Sequence, residues 1–99
     1  MKSFKEFIAE DKLTLVDFYA TWCGPCKVMH PILEEYKKQV GDDVRILKLD
    51  IDSAANAVLV REYHISSVPT LMFFRNGESK WRESGVISAA QLKEISDKL

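Results

Sequence analysis

The hydrophobic pattern in the first half of the chain predicts a strand, a helix and a second strand. Leu13 to Ala20, LTLVDFYA, is an almost continuous apolar run rich in β-formers, which is typical of a strand covered by helices on both faces. From about Pro25 to Val40 the apolar residues recur at helical spacing, and Gly41 then supplies a stop. Val44 to Asp50, VRILKLD, is a second strand, which we expect to lie parallel to the first through a right-handed crossover.

Capping residues predict three further helices. A side-chain oxygen at the N-cap accepts a hydrogen bond from a helix N–H that has no partner within the helix. Ser followed three residues later by Glu or Gln can satisfy two such groups reciprocally. We therefore expect a short first helix, a third helix that ends near Tyr63, and a final helix, with these caps: Ser3 with Glu6, Asp52 or Ser53, and Ser88 with Gln91.

The second half of the chain carries a hairpin signal. Asn76 and Gly77 favour a tight turn with two positive φ angles, and they stand between the strand-like runs Leu71–Phe74 and Glu78–Ser84. The second run has Trp81 as its only large apolar residue, as expected of an edge strand. The whole pattern predicts an α/β fold with a central mixed sheet of about four strands flanked by four helices.

Length and composition restrict the class of protein. With 99 residues we expect a single domain over residues 1–99, and 46% hydrophobic with 29% charged residues is the composition of a globular protein, neither disordered nor membrane-embedded. Fourteen basic and fifteen acidic residues are spread without a basic stripe, which argues against nucleic acid as a partner. The first residues contain no apolar run that could serve as a secretion signal, so we expect a cytoplasmic protein.

The chain's only two cysteines, Cys23 and Cys26, stand at the predicted junction of strand and helix. Pro25 between them suits the first helical turn, where its missing N–H would have had no partner, and it stiffens the loop. The unpaired N–H groups and the dipole at a helix N-terminus favour an anion, so the Cys23 thiolate should be stabilised. Such a thiolate can attack a partner's disulfide, and Cys26 can then resolve the mixed disulfide. The pair predicts two-electron thiol–disulfide exchange that needs no bound cofactor.

A zinc site is the competing interpretation of two cysteines at this spacing. A structural zinc site needs four ligands, and the chain has no second cysteine pair. His30 could supply a third ligand, but the fourth would have to be His64 or a carboxylate at no recognisable spacing. We therefore expect no metal and interpret both histidines as ordinary solvated or partly buried residues.

Asp17 is a carboxylate in the middle of the first apolar strand. Burial of an unpaired charge is costly or shifts the pKa of the group. Its side chain could point beneath the turn that carries the cysteines and take a proton from Cys26, and Lys48 on the neighbouring strand could modulate it. Two alternatives stay open here: Asp17 in a salt bridge at a wet strand end, and Lys48 as a simply solvated lysine.

Several motifs of the chain resemble those of the thioredoxin family. The segment DFYATWCGPCK, followed by Pro31, is similar to the active-site segment of that family. Further matches stand in the family's order and at about its spacing, so that the resemblance covers nearly all of the chain: Lys48 in KLDID, Val68-Pro69-Thr70, Asn76-Gly77 and Gly85. The resemblance implies a thioredoxin-like fold and a protein-disulfide reductase.

The resemblance also implies a role for each matching residue. Four residues would carry the chemistry: the exposed attacking Cys23, the buried resolving Cys26, the buried base Asp17 and its partner Lys48. A second set would form an apolar docking surface on which a substrate segment pairs with the backbone of Val68, next to a cis peptide bond before Pro69. This surface would comprise Trp22, Gly24, Pro25, Val68, Pro69, Gly85 and Val86.

The chain departs from the family's pattern at its start. The family usually begins with a strand before its first helix, whereas this chain starts at that helix, so the family's first strand is expected to be missing from the sheet. The strand Val44–Asp50 would then have an exposed edge that could pair with another chain or with a partner.

The function that the resemblance implies is the reduction of disulfides in partner proteins, with thioredoxin reductase returning the chain to its dithiol form. The expected partners are therefore that reductase and disulfide-containing proteins, and we expect a monomer. Two alternatives stay open: a binding subunit of a larger complex in which the thiols are incidental, and an oxidant or isomerase that uses the same cysteines in the opposite direction.

Overall fold

The computed structural model describes residues 2–99 and confirms the predicted architecture of a four-stranded mixed sheet with four helices. The helices are α1 (Phe4–Ile8), α2 (Gly24–Val40), α3 (Ala57–Glu62) and α4 (Ala89–Asp97). The strands are β1 (Leu13–Tyr19), β2 (Val44–Asp50), β3 (Thr70–Arg75) and β4 (Glu78–Ser84). Short 3-10 turns at Gly41–Asp43 and Ala54–Asn56 precede β2 and α3.

The sheet has the strand order β2-β1-β3-β4. β1 and β2 are parallel, as predicted for two strands joined through a helix, and β3 is antiparallel to both β1 and β4. β1 and β3 lie in the centre and are buried along nearly their whole length, which explains their almost unbroken apolar sequence. β4 is exposed at every residue except Trp81, and its position at the edge of the sheet is confirmed.

Helices cover both faces of the sheet. The alternation of side chains along β1 sends Leu13 and Leu15 to a core shared with α2 and α4, and Val16 and Phe18 to a second core shared with α1 and the end of α3. Each large apolar side chain that is fully buried in these cores contributes about 1.5–3 kcal/mol. Burial on both faces of β1 therefore holds this strand in one position within the sheet. The loop that follows β1 is held in position with it.

Local hydrogen bonds explain where the elements begin and end. Both predicted capping boxes, Ser3 with Glu6 and Ser88 with Gln91, are confirmed. The predicted first strand is one residue too long, because the Ala20 carbonyl accepts the N–H of Cys23 at 3.2 Å in a turn. The predicted cap of the third helix is wrong: a 3-10 turn comes first, and no side chain caps either that turn or α3.

The β3–β4 hairpin turns at the predicted pair of residues. Asn76 has a φ of 52° and Gly77 a φ of 82°, as a tight turn with two left-handed residues requires. The N–H groups of both residues donate to carbonyls at the end of the first helical segment, Asn76 to Glu10 at 2.9 Å and Gly77 to Ile8 at 2.8 Å. The hairpin is thereby joined to the start of the chain.

Within residues 2–99, every helix is too short or too polar to cross a lipid bilayer.

Candidate active site

Cys23 and Cys26 are joined by a disulfide at the N-terminus of α2, with their Cα atoms 5.3 Å apart. Cys23 is the N-cap residue, with φ −89° and ψ 117°, and the N–H of Cys26 donates to its Sγ at 3.1 Å. Pro25 lies in the first turn, as predicted. In the reduced form the same N–H and the dipole of this 17-residue helix would stabilise a thiolate on Cys23. The geometry therefore places the Cys23 sulfur at the positive end of the helix.

The degree of burial of the two cysteines differs from what the resemblance implies. Cys26 is fully buried as expected, but Cys23 retains only 4% of its accessible surface, so the expectation of an exposed Cys23 is wrong for the disulfide form. The two residues pack with Ala20 in a small apolar cluster that also touches Val68. The Sγ of Cys23 lies 3.6 Å from the carbonyl oxygen of Val68, which accounts for part of this burial.

The loop before β3 lies directly against the disulfide. Its Val68–Pro69 peptide bond is cis, as the resemblance implies. The carbonyl of Pro69 accepts the N–H of Gly85 at 2.9 Å, and this bond ties the loop to the segment that follows β4. Gly85 has a φ of 99°, a left-handed conformation that side chains other than hydrogen rarely adopt. The structure therefore brings Val68, Pro69 and Gly85 together beside Cys23.

Trp22, next to Cys23, and Val86, next to Gly85, form an exposed apolar rim at the site. Trp22 is 68% exposed and Val86 is 46% exposed, although both are large apolar residues. Gly24 and Pro25, in the first turn of α2, are also exposed. Exposed apolar surface beside a reactive group is typical of a docking site. Of the predicted docking surface, Trp22, Gly24, Pro25 and Val86 are exposed, whereas Pro69 is buried. The binding role of all seven residues stays a prediction.

Asp52 is a residue of the site that the sequence analysis assigned to a different role. Its carboxylate accepts a hydrogen bond from the Trp22 indole N–H at 2.8 Å and so orients the exposed ring, whereas the sequence had indicated a helix cap. The sequence could have indicated this contact, because Asp52 follows the carboxyl end of β2 and Trp22 follows the carboxyl end of β1. Since the two strands are parallel, the loops that follow them lie at the same edge of the sheet.

Asp17 is fully buried, and neither of its carboxylate oxygens has a hydrogen-bond partner within residues 2–99. The salt-bridge alternative is therefore excluded for the described chain. Burial raises the pKa of Asp17 from its ordinary value of 3.8 to about 6, while the charge of Lys48 acts to lower that pKa. Lys48 is exposed and stands opposite Asp17 in the register of β1 and β2 without forming an ion pair.

The direction of the Asp17 side chain follows from the alternation along β1. Leu13 and Leu15 face the core under α2, so Asp17, two residues further on, points to the same side. Cys26 lies at the start of α2 on that side. The carboxylate and the buried cysteine are therefore placed on the same face of the sheet, at the end where β1 leads into the disulfide loop.

Comparison with known proteins gives consistent results over nearly the full chain. The thioredoxin family model matches residues 1–98. The thioredoxin of Mycolicibacterium smegmatis is 41% identical over 95 residues, which are 95% of this chain and 85% of that protein. A bifunctional thioredoxin reductase/thioredoxin of Mycobacterium leprae is 39% identical over 95 residues, 95% of this chain and 20% of that protein. The solved structure of a thioredoxin-2, a component of malaria parasite protein secretion machinery, is similar with a TM-score of 0.84 at 25% identity, over 89% of this chain and 84% of the other.

Proposed function

Because this chain belongs to the thioredoxin family and is a dithiol–disulfide oxidoreductase that reduces disulfides in proteins, we propose that Cys23 is its attacking thiol and Cys26 its resolving thiol. The observation that carries this assignment is the N–H of Cys26 directed at the Sγ of Cys23 over 3.1 Å, at a helix N-terminus. A positive helix end favours the thiolate at the N-cap position over a thiol one turn further in.

The exchange balances in two steps. The Cys23 thiolate attacks one sulfur of the substrate disulfide, forms a mixed disulfide, and releases the other substrate sulfur as a thiolate, which takes up a proton. Cys26 then loses its proton and attacks the Cys23 sulfur, which releases the second substrate thiol. The substrate gains two electrons and two protons, and the chain is left with the Cys23–Cys26 disulfide.

We assign Asp17 as the base that accepts the proton of Cys26, with Lys48 as the neighbouring charge that sets its proton affinity. The assignment is supported by the position of Asp17 on the α2 face and by its pKa of about 6, which lies close enough to neutral pH for the carboxylate to take up and return a proton. Without Lys48 that pKa would lie higher.

The apolar rim would hold an extended segment of the substrate. The exposed Trp22 and Val86 provide apolar contact area, and the Val68 backbone provides hydrogen-bonding groups beside Cys23. The full set of substrate-binding residues in this proposal is Trp22, Gly24, Pro25, Val68, Pro69, Gly85 and Val86.

We further propose that thioredoxin reductase returns the chain to its dithiol form and that the chain works as a single-domain monomer in the cytoplasm. The reductase is supported by the relative from Mycobacterium leprae, whose name joins both activities in one protein. A reducing compartment suits a protein that must be kept as a dithiol to donate electrons.

The test is turnover of a disulfide substrate, insulin, with thioredoxin reductase and NADPH. Cys23→Ser should abolish turnover, and Cys26→Ser should instead accumulate a mixed disulfide that is visible by mass spectrometry. Thr21→Ala, at an exposed neighbouring position, is the matched control and should retain turnover. Insulin reduction by Cys23→Ser would contradict the assignment. A redox potential near or above that of the glutathione pool would instead favour the oxidant or isomerase.

A further inference from the structure

The outer edge of β2 presents unpaired backbone groups. The N–H of Ile51 donates to the Tyr19 carbonyl at 2.9 Å, so the odd-numbered residues of β2 direct their backbone groups toward β1. Backbone direction alternates along a strand, and Ile46 and Lys48 therefore direct their N–H and C=O groups outward. β2 is the last strand on this side of the sheet formed by residues 2–99.

The two ends of this edge are occupied by groups of the chain itself. At one end the Lys37 ammonium donates to the Val44 carbonyl at 2.8 Å. At the other end the Asp50 carbonyl accepts the Asn56 side-chain amide at 2.9 Å and the N–H of Ser53 at 3.2 Å. The open stretch lies between these ends and is long enough for a short added strand.

A groove of about 600 Å³ runs beside the open edge. Leu33 and Ile46 form the apolar part of its lining. The charged part contains one acidic residue, Glu34, and four basic residues: Lys12, Lys37, Arg45 and Lys48. Arg45 is already paired with Glu10 at 2.7 Å, whereas the three lysines form no ion pair with any residue from 2 to 99. The groove therefore has an excess of positive charge, of which only the part carried by Lys48 is offset by the buried Asp17 carboxyl opposite it.

We propose that an extended acidic segment of a partner protein adds to β2 as a further strand, with an apolar side chain over Ile46 and carboxylates against the lysines of the groove. The edge supplies main-chain hydrogen bonds, and the groove supplies selectivity for charge. Neither cysteine belongs to this surface, and Lys48 is the one residue that it shares with the proposed redox site. The tests of the groove therefore change Lys12 and leave Lys48 in place.

A second copy of the chain fits this edge poorly. Antiparallel pairing of β2 with itself, centred on Leu47, would place Lys48 of one copy opposite Ile46 of the other and would bring two sets of groove lysines together. Like charges at close range oppose such pairing. β4 at the opposite edge differs, because its charges are mixed and Lys80 is paired with Glu78. The excess of positive charge is specific to the β2 edge.

The probe is the capped peptide acetyl-Glu-Thr-Ile-Thr-Glu-amide, whose alternate residues place Ile between two Glu side chains on one face. In a titration followed by ¹⁵N NMR at low salt, we expect shifts and slowed hydrogen exchange at the amides of Ile46 and Lys48. The matched peptide with Lys in place of both Glu residues should bind about tenfold more weakly.

Two charge variants test the groove. Lys12→Glu should weaken binding of the acidic peptide about fivefold, whereas Lys38→Glu, an identical charge change at an exposed α2 position outside the groove, should not. A double Cys23→Ser, Cys26→Ser variant should bind the peptide unchanged, which separates this test from that of the redox site.

Four outcomes would overturn the proposal: no shift at any peptide concentration, equal binding of the Lys peptide, shifts confined to the rim around Trp22, or equal weakening by Lys12→Glu and Lys38→Glu. Protein-concentration-dependent shifts at Ile46 without peptide, together with a dimer in sedimentation, would also overturn it, because they would assign the edge to a second copy.

Discussion

Replacement of Asp17 by Asn removes the one buried carboxylate that has no hydrogen-bond partner in the described chain. Asn has nearly the same shape and stays neutral at every pH. The substitution therefore compares a side chain that must ionise in the core with one that cannot. We expect the Asn variant to be more stable at neutral pH, because the cost of burying the charge disappears.

The magnitude follows from the pKa of Asp17, which is raised from 3.8 to about 6. Each pKa unit corresponds to about 1.4 kcal/mol, so ionised Asp17 destabilises the folded state by about 3 kcal/mol. Well below pH 3.8 the group is protonated in both the folded and unfolded states and costs nothing. Between that pH and about 6 only the unfolded state ionises, so stability falls as pH rises, and above about 6 the loss is complete.

The assay is urea denaturation of both oxidised proteins between pH 4 and pH 8. The free-energy difference in favour of Asp17→Asn should grow from about 0.5 kcal/mol at pH 4 to about 3 kcal/mol at pH 8, the latter being roughly 12–24 °C in Tm. Asp42→Asn, at an exposed turn position, controls for the change in net charge. A difference that stays constant with pH, or an Asn variant less stable than the parent at pH 8, would refute the reasoning.

Two further predictions concern single side chains. Lys48→Gln removes the charge that lowers the Asp17 pKa, so an NMR titration of the Asp17 carboxyl should show a higher midpoint than in the parent, and an unchanged midpoint would contradict the coupling. Ser88→Ala removes the N-cap of α4 and should cost about 1 kcal/mol in urea denaturation, whereas Ser66→Ala in an exposed loop should cost little, and equal losses would contradict the capping role of Ser88.

The architecture was predictable because local signals and burial agree along most of the chain. The apolar sequences of β1 and β3 are stable only where helices cover both faces of the strand. Asn76 and Gly77 are residues that readily take the two positive φ angles of this turn. The capping boxes at Ser3 and Ser88 are contained within four consecutive residues. Features that depend on neighbours in sequence could therefore be read from sequence.

The features that sequence reasoning missed depend on contacts between distant segments. The sequence predicted Asp52 as a helix cap, but its carboxylate instead accepts a hydrogen bond from the indole N–H of Trp22, 30 residues away in the sequence. The burial of Cys23 depends on the approach of the Val68 carbonyl from another loop. Neither contact has a periodic or compositional signature, and both arise because the sheet brings the ends of several strands to the same edge.

The cost that Asp17 imposes on the fold and its fitness as a base have the same physical origin. At pH 7 a carboxyl with a pKa of 3.8 would carry a proton less than about a thousandth of the time, whereas a pKa of about 6 raises that fraction to about a tenth. The proton that Cys26 gives up can then be held and returned at neutral pH. The burial that destabilises the ionised carboxylate is what raises its proton affinity, so a variant that recovers the stability must lose the base. Asp17→Asn should therefore resolve mixed disulfides more slowly than the parent while unfolding at a higher urea concentration.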